Sequence, residues 1–448
     1  MSKSVTKDMT VGSPMRLIVS FFIPLLLGML FQQFYSMMDT IIVGRCLGVN
    51  ALAAVGSTGS VNFMIIGFCM GVCNGFAIPV AQRFGAKDQT DLRKFVANSV
   101  WLSIVFAVIM TIVTCILCRQ IMTWMRTPAD IFEDANTYIF IIFIGIPATY
   151  LYNLVSGIIR SLGDSRSPLF FLIVSSVLNI GLDFLFILTF HMGVAGAAWA
   201  TVISQAVSGI GCLFYMKHKF EILKIRPEEW KMDTKYMKIL CGMGIPMGLQ
   251  YSITAIGSVI LQTAVNTLGS SAVAAITAGS KVSMFFCCPY DAMGSTMATY
   301  AGQNVGAGKL DRVKKGMLSC CLLGLIYAVL AFVFLFFFGR YTALLFMEAS
   351  EKAILGNVTT FLLINSAFFF PLSLVNIIRF TIQGMGYSVL AICAGICEMV
   401  ARSIVGFVFV PMWGFVAACF ASPVAWICAD IFLIPAFFYC LRRLKKVY

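Results

Sequence analysis

The sequence predicts an all-α polytopic membrane protein with twelve transmembrane helices in two six-helix bundles related by pseudo-two-fold symmetry. Three observations predict it. Of 448 residues, 60% are hydrophobic and 11% charged, with a mean hydropathy of +0.92, whereas a soluble globular chain carries about 25% charged residues. Continuous apolar runs recur from end to end, each near or above the ~20 residues a helix needs to cross the hydrocarbon. An internal repeat appears at a shift of about 221 residues. Barrel strands would alternate polar and apolar residues over about 10 positions; these runs do not alternate, so helices must satisfy the backbone in lipid.

The first run, 17–43, follows the polar opening "MSKSVTKDMTVGSPMR". It is far longer than the apolar core of a cleavable signal, about 7–15 residues, and reads as the first helix. Runs at 52–81, 95–118, 135–159, 168–190 and 194–216 complete an N-terminal lobe over 1–216. The longest polar connection, "KHKFEILKIRPEEWKMDTKYMK" at 217–238, reads as a cytoplasmic linker. Runs at 239–267, 273–300, 317–338, 354–379, 388–410 and 414–440 then form a C-terminal lobe over 239–448.

The net charge of +13 reports topology. Of 32 Lys and Arg, 24 fall in the N-terminus and in every second connection, five in the opposite connections, and Lys281, Arg379 and Arg402 within runs. By the positive-inside rule both termini are cytoplasmic, and the basic loops face an anionic inner leaflet, with no role for nucleic acid. The 16 cysteines, among them Cys69, Cys73, Cys287, Cys288, Cys393 and Cys397, lie mostly within runs and show no metal-type spacing in a polar loop. They read as small, reduced core residues. Two histidines, His191 and His218, and the absence of a phosphate-binding glycine loop argue against an enzyme. No catalytic residue, metal or cofactor is expected, and the chain reads as a monomer.

The repeat sets "LGVNALAAVG" (47–56) on "LGSSAVAAIT" (268–277), "AQRFGAKD" (81–88) on "GQNVGAGK" (302–309) and "GVAGAAWA" (193–200) on "GFVAACFA" (414–421). Pro24 falls on Pro246 within one residue of the same shift. Six helices per copy give both copies the same orientation, the parallel repeat of secondary transporters, whose substrate cavity lies between the halves near the midplane.

Ionisable groups at membrane depth cost several kcal/mol unless paired, hydrated or neutralised. Glu398 and Arg402, four apart in "CEMVARS", meet on one helix face and read as a structural ion pair. Lys281 and Asp291 are ten apart, so they share a face of one helix or pair with other helices. Asp430, in "WICADIFLIP", has no local partner and faces the bundle interior on this reading.

Asp39 and Asp183 differ, because neither has a basic residue within one turn. Gln32, Gln33, Tyr35 and Ser36 precede Asp39, and Asn179 precedes Asp183 by one turn. Under the shift their counterparts are Ile260 and Ile404, so any function of the acids is confined to the first half. Two acids sharing a low-dielectric pocket titrate as a unit, and such a pocket takes up a proton, or Na⁺ with the amide oxygens as further ligands. The alternative is an Asp hydrogen-bonded to a kinked backbone. Pro24, fifteen residues before Asp39, removes one helix hydrogen bond; a bend there that follows the state of Asp39 would turn cation binding into a change of shape.

"IPLLLGMLFQQFYSMMDTIIVGRCLGVNALAAVG", "VAQRFGAKD", "GIIRSLGDSRSP", "NIGLDFLFI" and "YAGQNVGAGK" resemble the multidrug and toxic compound extrusion (MATE) family, and within it the prokaryotic DinF-like branch. The resemblance covers nearly the whole chain. It implies a secondary active multidrug efflux transporter of the bacterial inner membrane. Such a protein exports bulky cationic and aromatic compounds by antiport with H⁺ or Na⁺ through alternating access. It also implies an N-lobe cation site at Asp39, Asn179 and Asp183, cavity positions at Gln32, Tyr35 and Thr201, and a conformational role for Pro24. The other branch places a further acidic site in the C-lobe, which the Glu398 and Arg402 arrangement does not reproduce. The alternative function is a flippase for a lipid-linked oligosaccharide or lipid, from the same superfamily of folds.

Overall fold

The computed structural model describes residues 6–344 and 352–447, and the side chains at all of these except 49, 352 and 353. Its helices in the first half are α1 (Pro14–Leu47), α2 (Val49–Ser57), α3 (Gly59–Gly85), α4 (Gln89–Trp124), α5 (Phe132–Ile144), α6 (Ile146–Ser161), α7 (Arg166–Phe184) and α8 (Val194–Lys219), with a π-helical turn Leu185–Thr189 between the last two. Two short 3₁₀ turns, Glu221–Leu223 and Pro227–Trp230, lead into the second half. It comprises α9 (Thr234–Asn266), α10 (Ser270–Gly306), α11 (Leu310–Ala343), α12 (Lys352–Ala367), α13 (Phe369–Gly384), α14 (Ser388–Ile404) and α15 (Val410–Leu444), with a second π-helical turn, Val405–Phe409, before α15.

Among the described residues, nine helical stretches are long and apolar enough to cross a membrane. Two bent pairs, α5 with α6 (46°) and α12 with α13 (50°), add one span each. The stretch Ser388–Leu444 has 57 residues and as a single rod would run about 85 Å, far beyond the hydrocarbon. It breaks at Gly414, whose φ of 62° and ψ of −139° are not helical. The break gives two spans, and twelve in all, as the apolar runs predict.

The repeat is written into the backbone. Gly193 precedes α8 with φ 61° and ψ −141°, and Gly414 lies 221 residues on with nearly the same angles. Positive φ of this kind is available to glycine without a Cβ penalty. Gly48 and Gly269, again 221 apart, have φ 89° and 95°. The two π-helical turns and the two bent pairs recur at almost the same interval. Lipid-facing surface recurs as well. Ile109, Ile112 and Ile116 on α4, and Leu330, Val333 and Phe337 on α11, are exposed large apolar side chains, which hydrocarbon rather than water must cover.

The chain forms two compact units, Met1–Asp8 with Ile23–Tyr251, and Met9–Phe22 with Ser252–Tyr448. The division falls within α9 and not at the 217–238 connection. The linker and the first half of α9 pack on the first unit. Arg93 at the start of α4 pairs with Glu229 at 2.8 Å, both side chains buried, and Trp101 Nε1–H donates to the Trp230 carbonyl. Helix α9 then lies against α3 through two pairs of glycines spaced by four. A Cβ on Gly71 would fall 2.5 Å from the Met247 carbonyl oxygen, and one on Gly75 would fall 2.5 Å from Gly244 Cα. Gly244 and Gly248 are equally tight against Phe76 and Phe68. Small residues at this spacing let two membrane helices bring their backbones together.

The 16 cysteines are all unpaired; Cys69, Cys73 and Cys288 are buried, while Cys287, Cys393 and Cys397 are half-buried.

Candidate functional site

Within the first unit, α1, α5, α7 and α8 bring one polar cluster together. On α1, Gln32, Tyr35 and Asp39 recur at three- and four-residue intervals and so share a stripe; Asp39 is buried and the other two are half-buried. On α7, Asn179 and Asp183 are one turn apart, with exposures of 1% and 0%. The carboxyl groups of Asp39 and Asp183 are close enough to act on each other. Three of their four oxygens, Asp39 Oδ1 and both of Asp183, have no donor, and neither has Asn179 Oδ1. Among the described residues no Lys, Arg or His forms an ion pair with either acid.

Asn179 is oriented from α8: its Nδ2–H donates to Thr201 Oγ1 at 3.4 Å, and the Thr201 hydroxyl donates in turn to the Ala197 carbonyl at 3.1 Å. That leaves the Asn179 amide oxygen as an acceptor beside the acids. Tyr35 interacts electrostatically with both carboxyls, and so does Tyr138 on α5. Tyr138 is 7% exposed and was not singled out in the sequence, where "ANTYIFIIFI" reads as an ordinary apolar run. Asp183 stands two residues before the π-helical turn. Such turns are frequent at functional sites, but this one recurs after Ile404, the counterpart of Asp183, so the turn belongs to the repeat and the acid is the local addition.

The second unit holds charges of another kind. Glu398 on α14 accepts from Arg379 on α13 in a close contact, and from Arg402 on its own helix at 3.4 Å. All three are buried. The expected Glu398–Arg402 pair is therefore part of a triad whose nearer arm comes from a helix 19 residues back. Asp430 is 7% exposed, with Oδ1 lacking a donor and with Arg379 and Glu398 acting on it. Lys281 and Asp291 do not pair. Both are exposed, and Asp291 is influenced by Arg379 instead, because ten residues along one helix is too far for direct contact.

With this geometry in place, the MatE family model matches the chain twice, at residues 24–185 and 246–410. The chain belongs to the MATE family of multidrug efflux transporters. Each match begins at one of the paired prolines, so the family unit is the repeat itself. The transporter is 30% identical to the probable multidrug resistance protein YpnP of Bacillus subtilis (strain 168), over 83% of this chain and 82% of that one. It is 28% identical to YoeA, another probable multidrug resistance protein of the same organism, over 78% and 76% of the two chains. Among solved structures, it superposes on an outward-facing conformation of a multidrug resistance MATE family transporter with a TM-score of 0.93, 24% identity and 99% coverage of both chains. That likeness concerns the fold. The twofold family match carries the membership.

Proposed function

We propose that this MATE transporter exports bulky cationic and aromatic compounds by antiport with H⁺ or Na⁺ through alternating access, and that Asp39 and Asp183 are its coupling pair. One observation carries the reading: two buried carboxyls act on each other, with three of their oxygens lacking donors and, among the described residues, no base paired with either. Two carboxylates in contact repel strongly at low dielectric. A proton held between them, or a cation bound by them with the Asn179 oxygen, removes the repulsion. Oxygen donors of this kind suit a hard cation.

The pair therefore has a loaded and an unloaded form, and it couples to drug through the different affinities of two conformations for each ligand. Loading favours the outward-facing form that releases drug. Gln32, Tyr35 and Thr201 offer amide and hydroxyl groups along the same stripe for substrate or cation, and Pro24 provides the flexible point of α1. The coupling ion is the only cofactor the cycle requires, and the working unit is a monomer in the cell membrane with both termini cytoplasmic. A flippase of pyrophosphate-linked lipids would need several free basic groups at depth, whereas Arg379 and Arg402 share Glu398 and, among the described residues, Lys281 alone of the three bases within the runs is left outside an ion pair.

Growth of a pump-deficient host on a toxic aromatic cation tests the reading. Wild type protects, and Asp39→Asn at equal membrane abundance does not. Equal protection by both would remove Asp39 from the coupling step.

A further inference from the structure

The motif "YAGQNVGAGKLDR" at 300–312 takes no part in the carboxyl pair. In the structure it closes on the chain's own N-terminal segment. Met9 is 0% exposed and Thr10 4%. The Met9 N–H donates to Gln303 Oε1 at 2.8 Å, and Asn304 Nδ2 and Arg312 Nη2 both donate to the Met9 carbonyl at 3.3 Å. Lys309 Nζ donates to the Thr10 carbonyl at 3.0 Å, and Arg312 Nη1 to that of Gly12 at 2.9 Å. Arg312 Nε–H is itself held by Asn304 Oδ1 at 3.0 Å. Four side chains thus grip the backbone of Met9, Thr10 and Gly12 just ahead of α1. Two of the four, Lys309 and Arg312, are cations, and hydrogen bonds from a charged donor are stronger than neutral ones.

The place held is the start of the helix that carries Asp39. Met9–Phe22 belongs to the second unit and Ile23 onward to the first, so α1 is divided between them just before Pro24. The opening of α9 is divided in the same sense, its first half belonging to the first unit and the division following Pro246 by five residues. There Tyr236 donates its hydroxyl to Asp91 at 2.7 Å, and the Asp233 N–H donates to Asn98 Oδ1 at 2.9 Å. Both repeats therefore secure the start of one dividing helix, by different chemistry. At the positions of Lys309 and Arg312 the first copy has Asp88 and Asp91, and Asp88 simply accepts from the Asp91 N–H to cap α4. Helix α9 has the glycine contact with α3 as well. In the corresponding positions of α10 stand Ala292 and Thr296, so the side-chain grip takes over the task for α1.

We propose that Gln303, Asn304, Lys309 and Arg312 are positioning residues that fix the start of α1 to the second unit, so that a change at Asp39 is taken up at Pro24 and passed to that unit. This rests on Asp39 being a coupling residue. A rod anchored at one end and pulled at the other bends at its weakest point, and proline is that point because it lacks one backbone hydrogen bond. With the anchor gone, α1 answers cation binding by shifting as a whole, and binding no longer drives transport.

The test uses full-length Arg312→Ala and a chain lacking residues 2–12, which leaves the gripping side chains untouched. Two quantities are read in purified protein: drug-triggered release of the bound cation, and drug transport in liposomes under an imposed gradient. The expected result is near wild-type release with transport lower by about tenfold in both variants. Combining them should cost no more than either alone, since both remove one interaction. Wild-type transport in either variant overturns the proposal, and so does parallel loss of release and transport with unaltered folding. Loss of cation release in wild type itself would instead overturn the coupling reading.

Discussion

Asp183 is fully buried with neither carboxyl oxygen satisfied by a donor, a state stable at membrane depth only when a proton or cation accompanies it. Asp183→Asn should therefore leave the protein folded, since an amide fills the same volume without charge, while abolishing the dependence of transport on an imposed ion gradient. Tyr138→Phe should lower gradient-driven transport by a few-fold, because its phenol acts electrostatically on both carboxyls, with little change in melting temperature. The acids were legible in the sequence because a carboxyl in an apolar run stands out. Tyr138 was not, since an aromatic residue in such a run is indistinguishable from core. Arg379 was visible as an intramembrane base, but its partner lies on another helix, and sequence spacing indicated only the weaker Arg402 contact.

At the level of elements, the glycines of α3 and α9 make a sharp prediction. Gly71→Val puts two methyl groups where the Met247 carbonyl already sits, and overpacking of this sort costs about 1–3 kcal/mol; a lower melting temperature in detergent measures it. The linker makes another. Hydrogen bonds from Arg93 hold the Glu229 carboxyl below its usual range. A depressed acid binds its proton less readily folded than unfolded. Its stabilisation is thus present in full above the ordinary glutamate range and is lost as pH falls below it. Glu229→Gln should destabilise by about 3 kcal/mol at neutral pH, because Arg93 stays buried without its partner, and the difference between variant and wild type should shrink in acid. Neither contact could be read from the sequence. The polar stretch 217–238 looks like a free tether, and only its docking on α4 shows that it belongs to the first unit.

At the level of the molecule, two copies of one fold carry unequal chemistry. The repeat was legible because its glycine-bearing turns recur at a fixed interval, and the backbone angles at Gly193 and Gly414 agree to within a few degrees. The twelve spans followed from apolar length alone. The exchange of helix starts between the units was hidden, since it depends on contacts between distant segments such as Met9 and Gln303. Charges break the symmetry: among the described residues the first unit holds an acid pair with no base in an ion pair with it, and the second holds Glu398 between two arginines. The acid pair can be loaded and emptied, whereas the triad is already neutralised in part by its own members. Coupling in this account therefore resides in the first unit. Its most direct test is uptake of a fluorescent aromatic cation by liposomes containing the purified transporter, with pH and Na⁺ gradients imposed separately. Wild type should respond to at least one gradient, and Asp39→Asn and Asp183→Asn to neither. A gradient response that persists in both variants would contradict the assignment of coupling to this pair.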